Sequence, residues 1–78
     1  MYYVYILKCF DNRLYVGCAT DLKKRIELHQ KGYVPATEKR LPIKLTNYFA
    51  FDNKIRAFEF EKYLKSGSGR AFTKKHLV

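Results

Sequence analysis

Apolar and aromatic residues crowd "YYVYILKC" at residues 2–9 and return in "LYVGCA" at 14–19, after the polar break "FDNR". Runs of β-branched and aromatic residues parted by turn formers predict two strands joined as a hairpin. From residue 20 the period changes. Leu22, Ile26 and His29 recur at helical spacing, Thr20 or Asp21 can cap the first turn, and Gly32 can stop the last, which predicts a helix from Leu22 to about Lys31. "GYVPATEKRLP" holds both prolines and no period, so it reads as a loop. A third strand is expected in "IKLTNYFAF", then a second helix capped by Asp52 and running to about Lys65, a stop at "SGSG", and a short third helix in "RAFTKKHL". The order β-β-α-β-α-α predicts an α/β fold, a small three-stranded antiparallel or mixed sheet flanked by helices, formed by one domain over residues 1–78.

The helical periods also say which polar side chains leave solvent. At ~100° per residue, Arg25 and His29 flank the Leu22–Ile26 stripe, while Lys23, Glu27 and Gln30 fall on the opposite side. The Arg25 stem can lie along the core edge with its head at water, or the head can face a ligand. His29 is either a hydrogen-bonded core-edge histidine or a reactive one. On the second helix, Ala57, Phe60 and Leu64 form the packed stripe, Glu61 borders it and Glu59 faces away. Glu61 has an i,i+4 partner in Lys65, a pairing that contributes about 0.2–0.5 kcal/mol. Tyr5 and Tyr15 sit on strands expected to pair, and their hydroxyls need partners if buried. Gly17 marks a bulge or a place where another backbone or a ligand comes close.

Charge narrows the choice of partner. Sixteen Lys and Arg against seven Asp and Glu give +9, a field that attracts polyanions, so nucleic acid is the expected partner. At 47% hydrophobic and 17% aromatic, the composition excludes a disordered basic tail. "MYYVYIL" breaks at Lys8, is too short to span a bilayer and shows neither a basic leader nor a cleavage site, so no membrane is expected and a cytoplasmic location is. In the predicted hairpin Cys9 and Cys18 lie too far apart to join, so both are expected reduced, and with His29 and His76 they lack paired zinc-ligand spacing.

Taken together, "YVY" at 3–5, "YVG" at 15–17, Arg25, His29 and the helical "AFEFEKYLK" with Glu61 resemble the GIY-YIG nuclease superfamily, and the "LKSGSGRAF" ending is similar to that of small stand-alone bacterial members. Tyr3 stands where the family's first motif has glycine, and the C-terminal part shows no clear counterpart of an asparagine that many members use. The resemblance implies a metal-dependent endonuclease that hydrolyses phosphodiester bonds in DNA, with branched, nicked and single-stranded forms as the candidate substrates, in repair or recombination. It implies Glu61 as ligand to Mg²⁺ or Mn²⁺, Arg25 on the scissile phosphate, Tyr5 as general base or water-orienting group, Tyr15 positioning the nucleophile and His29 near the reaction. These residue types suit the chemistry: a planar cation and a metal both offset charge developing on phosphate oxygens.

The expected substrate surface is Lys23, Lys24, Lys39, Arg40, Lys44, Arg70, Lys74 and Lys75, with RNA left open as a partner and a monomer or weak homodimer as the assembly. "SGSGR" reads as a helix stop before it reads as a phosphate cradle. Two other classes compete: a nucleic-acid-binding module with weak or no turnover on the same scaffold, and a basic adaptor for an acidic protein.

Overall fold

A computed structural model describes residues 1–77. Its elements are β1 (Tyr2–Lys8), β2 (Leu14–Ala19), α1 (Leu22–Gln30), β3 (Lys44–Phe51), α2 (Lys54–Leu64) and α3 (Gly67–His76), the predicted order. The sheet runs β2-β1-β3 with both pairings antiparallel, which decides between the antiparallel and mixed alternatives. β1 is central because its apolar run is continuous: Val4, Tyr5, Ile6 and Leu7 are all fully buried, as suits a strand covered on both faces. At the hairpin turn the Cys9 and Asn12 N–H groups donate to the Arg13 and Cys9 carbonyls, and Asn12 takes the positive φ that asparagine tolerates.

Alternation along β1 builds two different cores. Val4 and Ile6 pack with Ala57 and Leu64 on one face, bordered by Phe49, Phe51, Phe60 and Phe72. Tyr5, Leu7 and Cys9 pack with Ile43 on the other, bordered by Tyr15, Leu22, Ile26 and Leu45. The sheet is thus flanked by α2 and α3 on one side and α1 on the other. Cys9 and Cys18 belong to opposite faces and are both free thiols.

Two boundaries differ from the expected ones. The cap of α2 is Asn53, whose side chain accepts the Arg56 N–H at 3.1 Å, instead of Asp52. Pairing of Phe51 with Tyr2 keeps the chain extended one residue longer than the capping pattern suggests. "SGSG" is also more than a stop. The Ser66 hydroxyl donates to the Tyr63 carbonyl that ends α2 and accepts the Gly69 N–H that opens α3, so the third helix starts at Gly67 instead of Arg70. A Cβ at Gly69 would lie 1.8 Å from the Tyr63 carbonyl oxygen, so the two helices cross with backbone against backbone. That crossing brings Arg70 and Lys74 beside the C-terminal end of α2. Among the described residues no helix is long and apolar enough to cross a membrane.

Candidate active site

The site grows from one missing side chain. Gly17 lies opposite Tyr5 in the hairpin, and a Cβ there would come within 2.4 Å of both the Tyr5 ring Cζ and its hydroxyl. The phenol fills the space that any other residue would occupy. Its hydroxyl meets His29 Nε2 at 2.8 Å, and His29 Nδ1 meets Thr37 Oγ1 at 2.7 Å. All three residues are fully buried. His29 comes from the last turn of α1, while Thr37 comes from the loop before β3. That loop is fixed by the Thr37 and Arg40 N–H groups donating to the Val34 and Thr37 carbonyls, and by the Phe10 N–H donating to the Arg40 carbonyl across at the hairpin turn. Tyr15 completes the cluster, its ring centroid 5.1 Å from that of His29 and 6.4 Å from that of Tyr5.

Burial sets the proton inventory. It holds the Tyr5 hydroxyl above the ordinary phenol range, outweighing the Arg25 guanidinium, which favours ionisation. It also pushes His29 below the ordinary imidazole value, with Arg25 acting in the same direction. Near neutral pH the pair is therefore a phenol and an uncharged imidazole. Arg25 alone therefore does not bring the Tyr5 hydroxyl below the ordinary phenol range.

Arg25 stands one turn before His29 on α1, half-buried, and its Nε is a buried donor without a partner among the described residues. An unpaired buried donor costs about 1–3 kcal/mol, which an anionic oxygen would relieve. Beside it opens a depression of about 330 Å³ whose lining includes Cys18, Asp21, Lys24, Arg25 and Leu28.

Glu61 arrives from the other side of the sheet. Burial is the first cause holding both the Tyr5 hydroxyl and the Cys18 thiol up, and the Glu61 charge adds to it in each case, so this carboxylate is within electrostatic reach of the β2 edge from α2. It also makes the ion pair expected with Lys65, at 3.4 Å. Among the described residues there is no cluster of three or more His, Cys, Asp or Glu that could enclose a metal. One half-buried carboxylate suits a hard cation such as Mg²⁺ or Mn²⁺, which prefers oxygen ligands and keeps several waters, better than it suits zinc.

The expected basic residues divide by position. Arg40, Arg70 and Lys74 line a cleft of about 1030 Å³ that also holds Lys8, Arg13, Lys65 and Tyr15, and no carboxylate lines it. Arg40 is partly engaged there by Asp11 at 3.6 Å. Lys24 lies in the depression with Arg25. Lys23 lines a separate hollow between α1 and β3 with Glu27, and Lys39, Lys44 and Lys75 are exposed away from both openings beside the cluster. Tyr3, at the position of the family's glycine, packs edge-on against Tyr48 and stays outside the Tyr5 cluster.

Sequence reasoning missed Thr37, and it missed Lys8, Arg13 and Lys65 as residues of the cleft. Nothing in the loop pattern separates Thr37 from the other threonines, because its partner is eight residues away on a different element.

This topology, a three-stranded sheet flanked by helices, is the one the resemblance implies, that of a nuclease-type domain. A model of the GIY-YIG catalytic domain matches residues 1–75, and the chain belongs to that family. It is 41% identical over 70 residues to a UPF0213 protein of Streptococcus pyogenes serotype M3, covering 88% of this chain and 76% of that protein. A UPF0213 protein of serotype M5 matches with the same identity and coverage. The solution NMR structure of a UPF0213 protein from Bacillus halodurans superposes with a TM-score of 0.61 at 36% identity, over 96% of this chain and 82% of that one. Family membership implies a nuclease-type function, and nucleases of this family generally depend on a divalent metal.

Proposed function

We propose that this protein is a divalent-metal-dependent endonuclease that hydrolyses phosphodiester bonds in DNA. The observation that carries the reading is convergence at the Gly17 gap: Tyr5, Tyr15 and His29 meet there from three elements, beside the unpartnered Arg25 Nε and within reach of the Glu61 charge.

A cation held by Glu61 would offset charge on the phosphate and favour ionisation of water. Arg25 binds the scissile phosphate through its free guanidinium donors. Tyr15 helps position the attacking water. The buried phenol is too weak an acid to stand ready as phenolate, so Tyr5 accepts the water proton as it passes its own to His29 Nε2. The new O–P bond forms as the leaving P–O bond breaks, and the leaving oxygen takes a proton from solvent. The products are a phosphate monoester and a hydroxyl end.

Two openings support a path for the substrate. The Lys24–Arg25 depression and the cleft of Lys8, Arg13, Arg40, Lys65, Arg70 and Lys74 both adjoin β2. A nucleic-acid backbone crossing β2 would meet cations before and after the Gly17 gap. Lys23, Lys39, Lys44 and Lys75 then contribute only to the general field.

The test is cleavage of labelled supercoiled, single-stranded, nicked and branched DNA with Mg²⁺, Mn²⁺ or EDTA, by the wild type and Glu61→Gln side by side. Metal-dependent products lost in a folded Glu61→Gln variant are expected, and preference for branched or nicked forms would support a role in repair or recombination. Equal activity in Glu61→Gln removes that residue as the metal ligand. Salt-sensitive binding without products from the wild type turns the reading to a binding module.

A further inference from the structure

We propose that Thr37 is a positioning residue for this reaction: its hydroxyl oxygen accepts the Nδ1–H of His29 and holds the imidazole in the tautomer whose bare Nε2 faces the Tyr5 hydroxyl. The inference rests on the nuclease reading above and adds a residue that neither the family motifs nor the sequence pattern supply.

A neutral imidazole carries one N–H, so one ring nitrogen must donate and the other accept. Both hydroxyls touching His29 can do either, and the ring by itself makes no choice. Its surroundings do. Tyr5 is fully buried, and its hydroxyl faces His29 Nε2 at 2.8 Å and the Arg25 guanidinium. The nearby guanidinium of Arg25 has donors only, so it cannot take the Tyr5 proton. A phenol is also a far stronger acid than an aliphatic hydroxyl, hence the better donor to an imidazole nitrogen. The phenol therefore claims the accepting nitrogen, and Thr37 is left to accept from Nδ1–H.

That assignment also serves the next step. Once His29 has taken the Tyr5 proton both ring nitrogens donate, and Thr37 continues to accept without rotating. The charged and titratable groups facing the ring are Tyr5 from β1, Tyr15 from β2 and Arg25 on α1, with Glu61 acting at one remove through Tyr5. None of them accepts the Nδ1 proton. A threonine that only filled space would be replaced without loss by valine, its near isostere.

The experiment uses the full chain as wild type, Thr37→Val and Thr37→Ser, with the ¹⁵N resonances of the His29 ring read by NMR and turnover measured across pH on whichever DNA form the wild type cleaves. Expected are a protonated Nδ1 and a bare Nε2 in the wild type, loss of that pattern in Thr37→Val, and its return in Thr37→Ser. In Thr37→Val kcat should fall by about 10–100-fold, the usual cost of losing an orienting partner, with KM unchanged and Thr37→Ser restoring it. A wild-type ring protonated on Nε2 overturns the proposal, and that spectrum needs no variant to fold. So does a folded Thr37→Val variant with wild-type kcat. If the wild type cleaves nothing, a ring protonated on Nδ1 leaves Thr37 as a structural partner only, and the failure then belongs to the nuclease reading.

Discussion

The two faces of β1 come from one run of four buried residues and do different work. Val4 and Ile6 look into a hydrocarbon core of Ala57, Leu64 and a ring of phenylalanines, where no group needs a particular partner. Tyr5, on the other face, is fixed at its tip by His29, which is fixed in turn by Thr37. The first face tolerates any change that keeps its volume. The second tolerates almost none, because each hydroxyl or ring nitrogen removed leaves a buried partner unpaired. One side of the strand is thus a plain apolar core, and the other holds a buried polar chain that the proposed reaction would use.

The sharpest way to break this comparison is Tyr5→Phe. The fold should persist at a cost of about 1–3 kcal/mol for the stranded imidazole nitrogen. Cleavage per folded molecule should fall by about 10²–10⁴, the usual range for losing a proton-transferring group. Circular dichroism and single-turnover cleavage measured together separate the two effects. Ile6→Ala should do the reverse, lowering the unfolding free energy in urea by about 2–5 kcal/mol while kcat per folded molecule stays at the wild-type value. Equal losses of activity from both variants would dissolve the division between the faces.

A smaller effect sharpens it. His29 in the fold titrates below the unfolded value, so above about pH 6.5 both states are uncharged and the residue adds no pH dependence. As pH falls below that value the unfolded chain gains a proton that the folded one refuses. Stability then declines until the folded pKa is reached. The melting temperature between pH 7.5 and 5.5 should show this decline in the wild type and lose its His29 part in His29→Gln.

Much of this arrangement was legible because it is local or periodic. The hairpin follows from two β-rich runs around a turn, the start of α1 from the Thr20 and Asp21 capping candidates, of which Asp21 is the cap, and the inward turn of Arg25 and His29 from the helical period. The motif residues were legible through the family resemblance. Thr37 was not, since a hydrogen bond between a loop and a helix leaves no spacing to read. The α2 cap was misplaced by one residue because Asp52 and Asn53 are equally able to cap, and strand pairing at Phe51 chooses between them. The cation-lined cleft was invisible for a third reason. Its members come from β1, the hairpin turn, the loop and two helices, and the close crossing at Gly69 alone brings the last of them into line.

The gap at Gly17 has a consequence for how copies of this chain can associate. β2 and β3 are both free edges of the sheet, and each offers unpaired backbone groups to another strand. A second molecule adding its strand along β3 would leave the β2 edge and Arg25 uncovered. One adding along β2 would cover Gly17 and stand between Arg25 and the phosphate of the proposed reaction. On the nuclease reading proposed above, association through the first edge would be compatible with turnover, whereas association through the second would block it.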